Sequence, residues 1–184
     1  MISQRWLIVC GAMCSAGLLW SAVLVGALVA GMRLLPSTVA VGVAAVLTVP
    51  GVIAGVIGNR WYYRTTRPRR AWSLTAWVPP HVPHWASMLA GVMFFAFWLA
   101  VVLAFAGLDG DTELRNGQYV FNDNGRLTVV TESSSERQHD LEQQISLGIL
   151  GALAVGGTFM TGAILTHHAA PQPTETQSAG QPLA

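Results

Sequence analysis

Four stretches of the chain run without a charged residue: 6–32, 35–58, 86–108 and 145–166. A helix rising 1.5 Å per residue needs roughly 20 apolar residues to cross about 30 Å of hydrocarbon, so each stretch is long enough to span a bilayer. Backbone groups in lipid are satisfied only within helices or closed barrels, and these continuous runs lack the alternation of barrel strands. The pattern predicts an all-α integral membrane fold, a four-transmembrane-helix bundle over residues 1–168. Residues 169–184, rich in Pro, Gln, Thr and Ser, hold too few hydrophobic residues to fold, and a disordered tail is expected there.

The first span is expected to be retained rather than cleaved. A secretory apolar region is about 7–15 residues long and ends at a small-x-small site, whereas this run is longer and a second span follows almost at once. The short connection from Arg33 to Ser37 makes the first two helices an antiparallel hairpin. Pro36 suits the opening turn of the second helix, and Pro50 lies well inside it, where a kink is expected. Small residues at four-residue spacing let helices approach closely in lipid. Such stripes are Ala22, Gly26 and Ala30 in the first helix, Gly51 and Gly55 in the second, and Gly148, Ala152 and Gly156 in the fourth. The third carries Phe94, Phe95, Phe97, Trp98 and Phe105 instead, suited to facing lipid or filling gaps.

Composition agrees with a membrane location: only 10% of residues are charged, against about 25% in a soluble domain. The ten basic residues are all Arg, and a net charge of +1 argues against a nucleic-acid partner. Their placement sets an orientation. Arg60, Arg64, Arg67, Arg69 and Arg70 stand between the second and third spans with no acid among them. Between the third and fourth, Arg115, Arg126 and Arg137 face Asp109, Asp111, Glu113, Asp123, Glu132, Glu136, Asp140 and Glu142. Arginine is retained on the cytoplasmic side, which predicts a plasma-membrane protein with both termini cytoplasmic and residues 109–144 extracytoplasmic. Arg33, in the first turn, opposes this assignment.

Arg60, Arg64 and Arg67 would share one face of a helix continuing past Gly58 until Pro68 ends it. With Arg69, Arg70 and the aromatic residues Trp61, Trp72 and Trp77 they form an expected lipid-anchoring belt. Each such arginine is worth about 1 kcal/mol against anionic headgroups, which makes the bilayer surface the expected partner.

Residues 109–144 carry the one soluble element. Gln118-Tyr119-Val120-Phe121 and Leu127-Thr128-Val129-Val130 have strand composition, with Asp123-Asn124-Gly125 as turn residues between them. A small extracytoplasmic β-hairpin over 118–131 is expected. Ser133 and Glu136 then have capping-box spacing, predicting a helix that runs through Leu141 and Ile145 into the last span. Two strands alone are marginal in water, so Tyr119, Phe121, Asp123 and Asn124 are candidate contacts to another membrane or envelope protein.

His81 and His84 form an H-x-x-H before the third span, and His167 and His168 follow the fourth. With Cys10 and Cys14 they would share one side of the membrane. Imidazole and thiolate suit zinc or copper, and a His pair suits haem. However, a Pro-rich H-x-x-H does not aim both rings at one point, and no carboxylate lies nearby to orient them. No cofactor is therefore expected. Cys10 and Cys14, one helical turn apart, read as small packing residues without a disulfide, and His139 as a solvated side chain.

Gly117-Gln118-Tyr119, followed by Asn122, Gly125, Thr128 and Val130 and then a polar helix entering a last span, resembles a group of uncharacterised actinobacterial small integral membrane proteins. The resemblance covers residues 117–145. The absence of Lys is similar to usage in high-GC genomes. The resemblance implies no activity.

Motifs for catalysis are absent: no carboxylate pair in a span, no G-x-S-x-G, no H-E-x-x-H and no phosphate-binding loop. No ionisable Asp, Glu, Lys, Arg or His lies mid-span, where ion-coupled transporters usually carry one. The expectation is a non-catalytic accessory or interaction protein presenting an acidic outer hairpin. The alternative is a subunit of a small transporter or channel, with Thr48, Thr158 and Thr161 as the sparse polar lining available to it.

Overall fold

The computed structural model describes residues 4–66, 82–108, 111–115, 118–123, 126–129 and 131–169. They form helices α1 (Gln4–Val29), α2 (Ser37–Thr66), α3 (His84–Ala106) and α4 (Glu132–Ala169), with strands β1 (Asp111–Arg115), β2 (Gln118–Asp123) and β3 (Arg126–Val129) between α3 and α4. All four helices are long and apolar enough to cross a membrane. They are the spans expected from the hydrophobic runs, with ends shifted by local chemistry.

Gly31 ends α1 at φ 74°, a left-handed conformation that costs glycine nothing. Its N–H donates to the Leu28 carbonyl at 2.9 Å, and the Met32 N–H reaches the Ala27 carbonyl at 2.8 Å, a Schellman closure of the helix. Pro36 heads α2, its carbonyl accepting from the amides of Val39 at 3.1 Å and Ala40 at 3.0 Å. α2 then continues through Pro50, whose missing N–H leaves the Val46 carbonyl without its i+4 donor. It also continues past Gly58 to Thr66, as the arginine spacing anticipated.

α4 is the hub: it packs on α1, α2 and α3, while α1 and α2 pack on each other and α3 rests chiefly on α4. The main core joins Leu24 and Val25 of α1, Ala40 and Ala44 of α2, Phe97 of α3 and Leu147 of α4. Small residues govern the close contacts, though not always the expected ones. A Cβ on Gly51 would lie 2.6 Å from Cys14 Cβ, and one on Gly55 would lie 3.2 Å from Met160 Cβ, so the α2 stripe is a packing seam. Of the α1 stripe only Ala22 packs against the core; Gly26 has nothing within 4 Å of its Cβ position and Ala30 is exposed. The seam of α1 is Gly11, Cys14, Gly17 and Ser21, one face over. On α4, Gly148 and Ala152 are used, but Gly156 is open. Gly151 takes the Phe97 ring and Gly157 takes Cys14 and Val52. Of the α3 aromatics only Phe97 is buried; Phe94, Phe95, Trp98 and Phe105 are exposed.

The expected two-stranded hairpin is part of a three-stranded antiparallel sheet in the order β1-β2-β3. β1 pairs with β2 from Asp111↔Asn122 to Arg115↔Gln118, and β2 with β3 from Val120↔Val129 to Asp123↔Arg126. Asp-Thr-Glu-Leu-Arg carries almost no strand propensity of its own. Such a segment becomes a strand because its neighbour offers an edge. α4 starts at Glu132 rather than after Ser133. The Thr131 carbonyl accepts from the amides of Ser134 at 3.1 Å and Ser135 at 3.2 Å, and Thr131 Oγ1 lies 2.8 Å from the Ser134 hydroxyl.

Candidate functional site

The bundle has two chemically different ends. At one, the α1–α2 turn meets the first turns of α4. Arg33 Nε lies 3.6 Å from Asp140 Oδ1, and His139 stands between Ser37 Oγ and Glu142 Oε2, 3.4 Å from each. The sheet springs from this same end, since it connects α3 to the start of α4. α4 buries three polar side chains here, on different faces of the helix: Gln138, Gln143 and Gln144. Gln144 Nε2 donates to the Ala100 carbonyl at 3.0 Å and ties α3 to α4, whereas Oε1 of Gln138 and of Gln143 has no hydrogen-bond partner. Gln138, Ser134, Arg137 and Gly107 border a polar hollow of about 380 Å³.

The centre is small and tight. Cys14 is fully buried, its thiol directed at the Ala154 carbonyl at 3.5 Å and the Thr48 carbonyl at 3.8 Å. Thr161 donates back to the Gly157 carbonyl at 2.8 Å. Both cysteines are free thiols. Thr48 and Thr161 pack between helices instead of facing a common lumen, since each is 1% exposed against the seam glycines Gly17 and Gly11.

At the opposite end lie the start of α1, the last turns of α2, the start of α3 and the last turns of α4; Gly58 and Ile164 meet there. Arg5 and Arg60 are exposed at this end. Over its first half α3 leans from α4, still touching the core through the partly buried Ala90 and Met93. Its buried residues are Phe97, Val101 and Ala104, all in the second half. The gap is an apolar groove of about 310 Å³, walled by Val82 to Met93 on one side and Val155 to Thr166 on the other, with Leu18 of α1 behind.

The residues singled out from sequence fall unevenly on this frame. Tyr119, Phe121 and Asp123 lie on β2, paired in register with Leu114, with Thr112 and Thr128, and with Arg126 respectively; Asn124 lies outside the described residues. Arg60, Trp61 and Arg64 belong to α2, while Arg67, Arg69, Arg70, Trp72 and Trp77 lie outside the described residues. Of the four histidines considered for a metal or haem, His84 opens α3 with an exposed side chain, His167 and His168 belong to α4, and His81 lies outside the described residues. Among the described residues no three His, Cys, Asp or Glu side chains are grouped to hold a metal ion. The groove and the polar hollow were not anticipated. Both depend on how far α3 leans from α4, which no residue pattern encodes.

The chain matches no family model, no curated protein and no solved structure in the comparisons made with each.

Proposed function

We propose that this chain is a multi-pass plasma-membrane protein whose role is non-catalytic. It presents a three-stranded sheet within an acid-rich segment on the extracytoplasmic side to another membrane or envelope protein and is anchored from the cytoplasmic side by its arginines. The observation that carries this reading is the unbroken course of α4. Its 38 residues make a rod of roughly 57 Å at 1.5 Å per residue, well beyond the ~30 Å of hydrocarbon. Its first turns therefore extend beyond the apolar span, directly after β3 in the chain. The charge asymmetry supports the orientation: eight acids against three arginines in 109–144, and five arginines without an acid in 59–85.

Two measurements test it. Glu136→Cys in intact cells should react with a membrane-impermeant maleimide, and Arg60→Cys should not; the reverse result overturns the orientation. Native mass spectrometry of the gently extracted protein should show a stoichiometric second protein that Tyr119→Ala removes. A symmetric homo-oligomer with no second protein would overturn the accessory role in favour of a pore.

A further inference from the structure

We propose that the groove between the first half of α3 and the second half of α4 is a binding site for one acyl chain of an anionic phospholipid, whose headgroup is held by the arginines at that end. The inference needs the four helices to cross a bilayer, but it does not depend on the sheet having a protein partner.

The dimensions of the groove carry the first part. It runs from Val82 to Met93 on α3 and from Val155 to Thr166 on α4. At 1.5 Å per residue, each wall is roughly 17 Å long. That is close to half of the ~30 Å hydrocarbon core, the depth of a single leaflet. The groove thus begins at the headgroup level, where α3 starts behind Pro83, and ends near the midplane. Its volume of about 310 Å³ is at the small end of ligand sites, which run from about 300 Å³ upward, and is narrow for its length. A slender apolar chain entering from one leaflet fits this shape; a globular ligand does not.

The reason for the gap is structural. Phe97 seats its ring on Gly151, Val101 packs on Gly148, and Gln144 donates to the Ala100 carbonyl. These contacts clamp α3 to α4 from residue 97 onward, whereas before them Ala90 and Met93 reach the core only partly buried. Below them, Gly162 of α4 has nothing within 4 Å of its Cβ position, so no side chain of the described residues fills the space at its Cβ. Helices diverging in lipid leave a slot that the bilayer's own chains can reach sideways.

Charge complementarity chooses among lipids. Arg5 and Arg60 are exposed at the end where the groove opens. Guanidinium groups make forked hydrogen bonds to phosphate. An anionic headgroup therefore gains contacts there that a zwitterionic one cannot fully match.

The test uses the full chain in mild detergent, delipidated and then offered phosphatidylglycerol or phosphatidylcholine, with lipid adducts counted by native mass spectrometry. One phosphatidylglycerol should remain bound under activation that strips all other lipid, with about a tenfold preference over phosphatidylcholine, the scale set by one to two arginine–headgroup contacts. Gly162→Phe should abolish the retained lipid, because the Cβ position is open and the ring would occupy the groove that Gly162 lines. Gly26→Phe, equally open but outside the groove, controls for general effects and should leave it bound. Arg5→Gln with Arg60→Gln should remove the headgroup preference and keep the stoichiometry. A retained lipid unchanged by Gly162→Phe overturns the site and leaves only annular lipid. Equal retention of both lipids, lost in Gly162→Phe, overturns the headgroup assignment. Partner binding through the sheet, measured on Gly162→Phe, should persist, which separates this inference from the proposed function.

Discussion

Arg33 on the α1–α2 turn and Asp140 on α4 form an ion pair at 3.6 Å. Arg33 is the arginine that stands apart from the cluster at 60–70, and its partner comes from the acid-rich segment 109–144. Its charge is thereby matched at the end of the bundle where the sheet is mounted. The outlier of the charge pattern is thus explained by a neighbour far away in sequence.

Both side chains of this pair remain more than a third exposed, at 39% and 38%, although Asp140 Oδ1 itself is shielded from solvent and makes no hydrogen bond. The attraction is therefore Coulombic and screened. Asp140→Asn should cost at most about 1 kcal/mol. The gap to wild type, read as a thermal midpoint in detergent, should narrow as salt is raised. A large loss insensitive to salt would assign Asp140 a different task.

The seam between α1, α2 and α4 should tolerate no added methyl at Gly51. Its Cβ would meet Cys14 Cβ at 2.6 Å and the Cys10 carbonyl at 2.8 Å, and neither can yield without moving α1. Gly51→Ala should destabilise by about 1–3 kcal/mol through overpacking. Gly26→Ala meets nothing within 4 Å and should be neutral or stabilising by up to about 1 kcal/mol from helix propensity. Equal midpoints for the two variants would contradict the packing described.

Gln144 is the polar link from α4 to α3. Interhelical hydrogen bonds of this kind average about 0.6 kcal/mol and reach about 1.7 kcal/mol in membrane proteins. Gln144→Leu should fall within that range. Phe97→Ala should cost more, because the ring is 6% exposed and seated on Gly151, and its loss opens a cavity. Chemical unfolding in mixed micelles would rank the two. A larger loss for Gln144→Leu would make the hydrogen bond, not the ring, the chief clamp on α3.

Cys14 is fully buried and Cys10 is nearly so, and alkylation needs an accessible thiolate. Intact-mass spectrometry after exposure to N-ethylmaleimide should find the folded protein unmodified and the denatured protein carrying two adducts, one on each free thiol. Rapid single labelling of the folded form would show that the α1 seam opens.

Much of the architecture could be read before the fold was known, and the reason differs by feature. The four spans follow from uninterrupted apolar runs, because placing a charge in hydrocarbon is costly enough to decide where a span stops, though not where its helix does. β2 and β3 were visible in the Tyr119–Phe121 and Leu127–Val129 segments, whereas β1, charged and almost without apolar residues, exists through its pairing with β2. The small-residue stripes were half legible. Gly51 and Gly55 stand out and form a seam, but on α1 the seam is Gly11, Cys14, Gly17 and Ser21, while the equally spaced Gly26 and Ala30 stay outside it.

Polarity along the chain settles how many helices can cross a membrane, roughly where they end and which loops carry which charge. Each of these is a transfer between water and hydrocarbon and is written residue by residue. Which faces meet is a different matter. Every face of these helices is apolar, so burial in protein and burial in lipid are nearly equivalent for a side chain, and polarity cannot choose between them. Shape chooses instead: whether Cys14 can enter the space left by Gly51 and Gly157, and whether Phe97 can lie on Gly151. The lean of α3, and the groove beside it, follow from those fits and from nothing shorter than the folded chain.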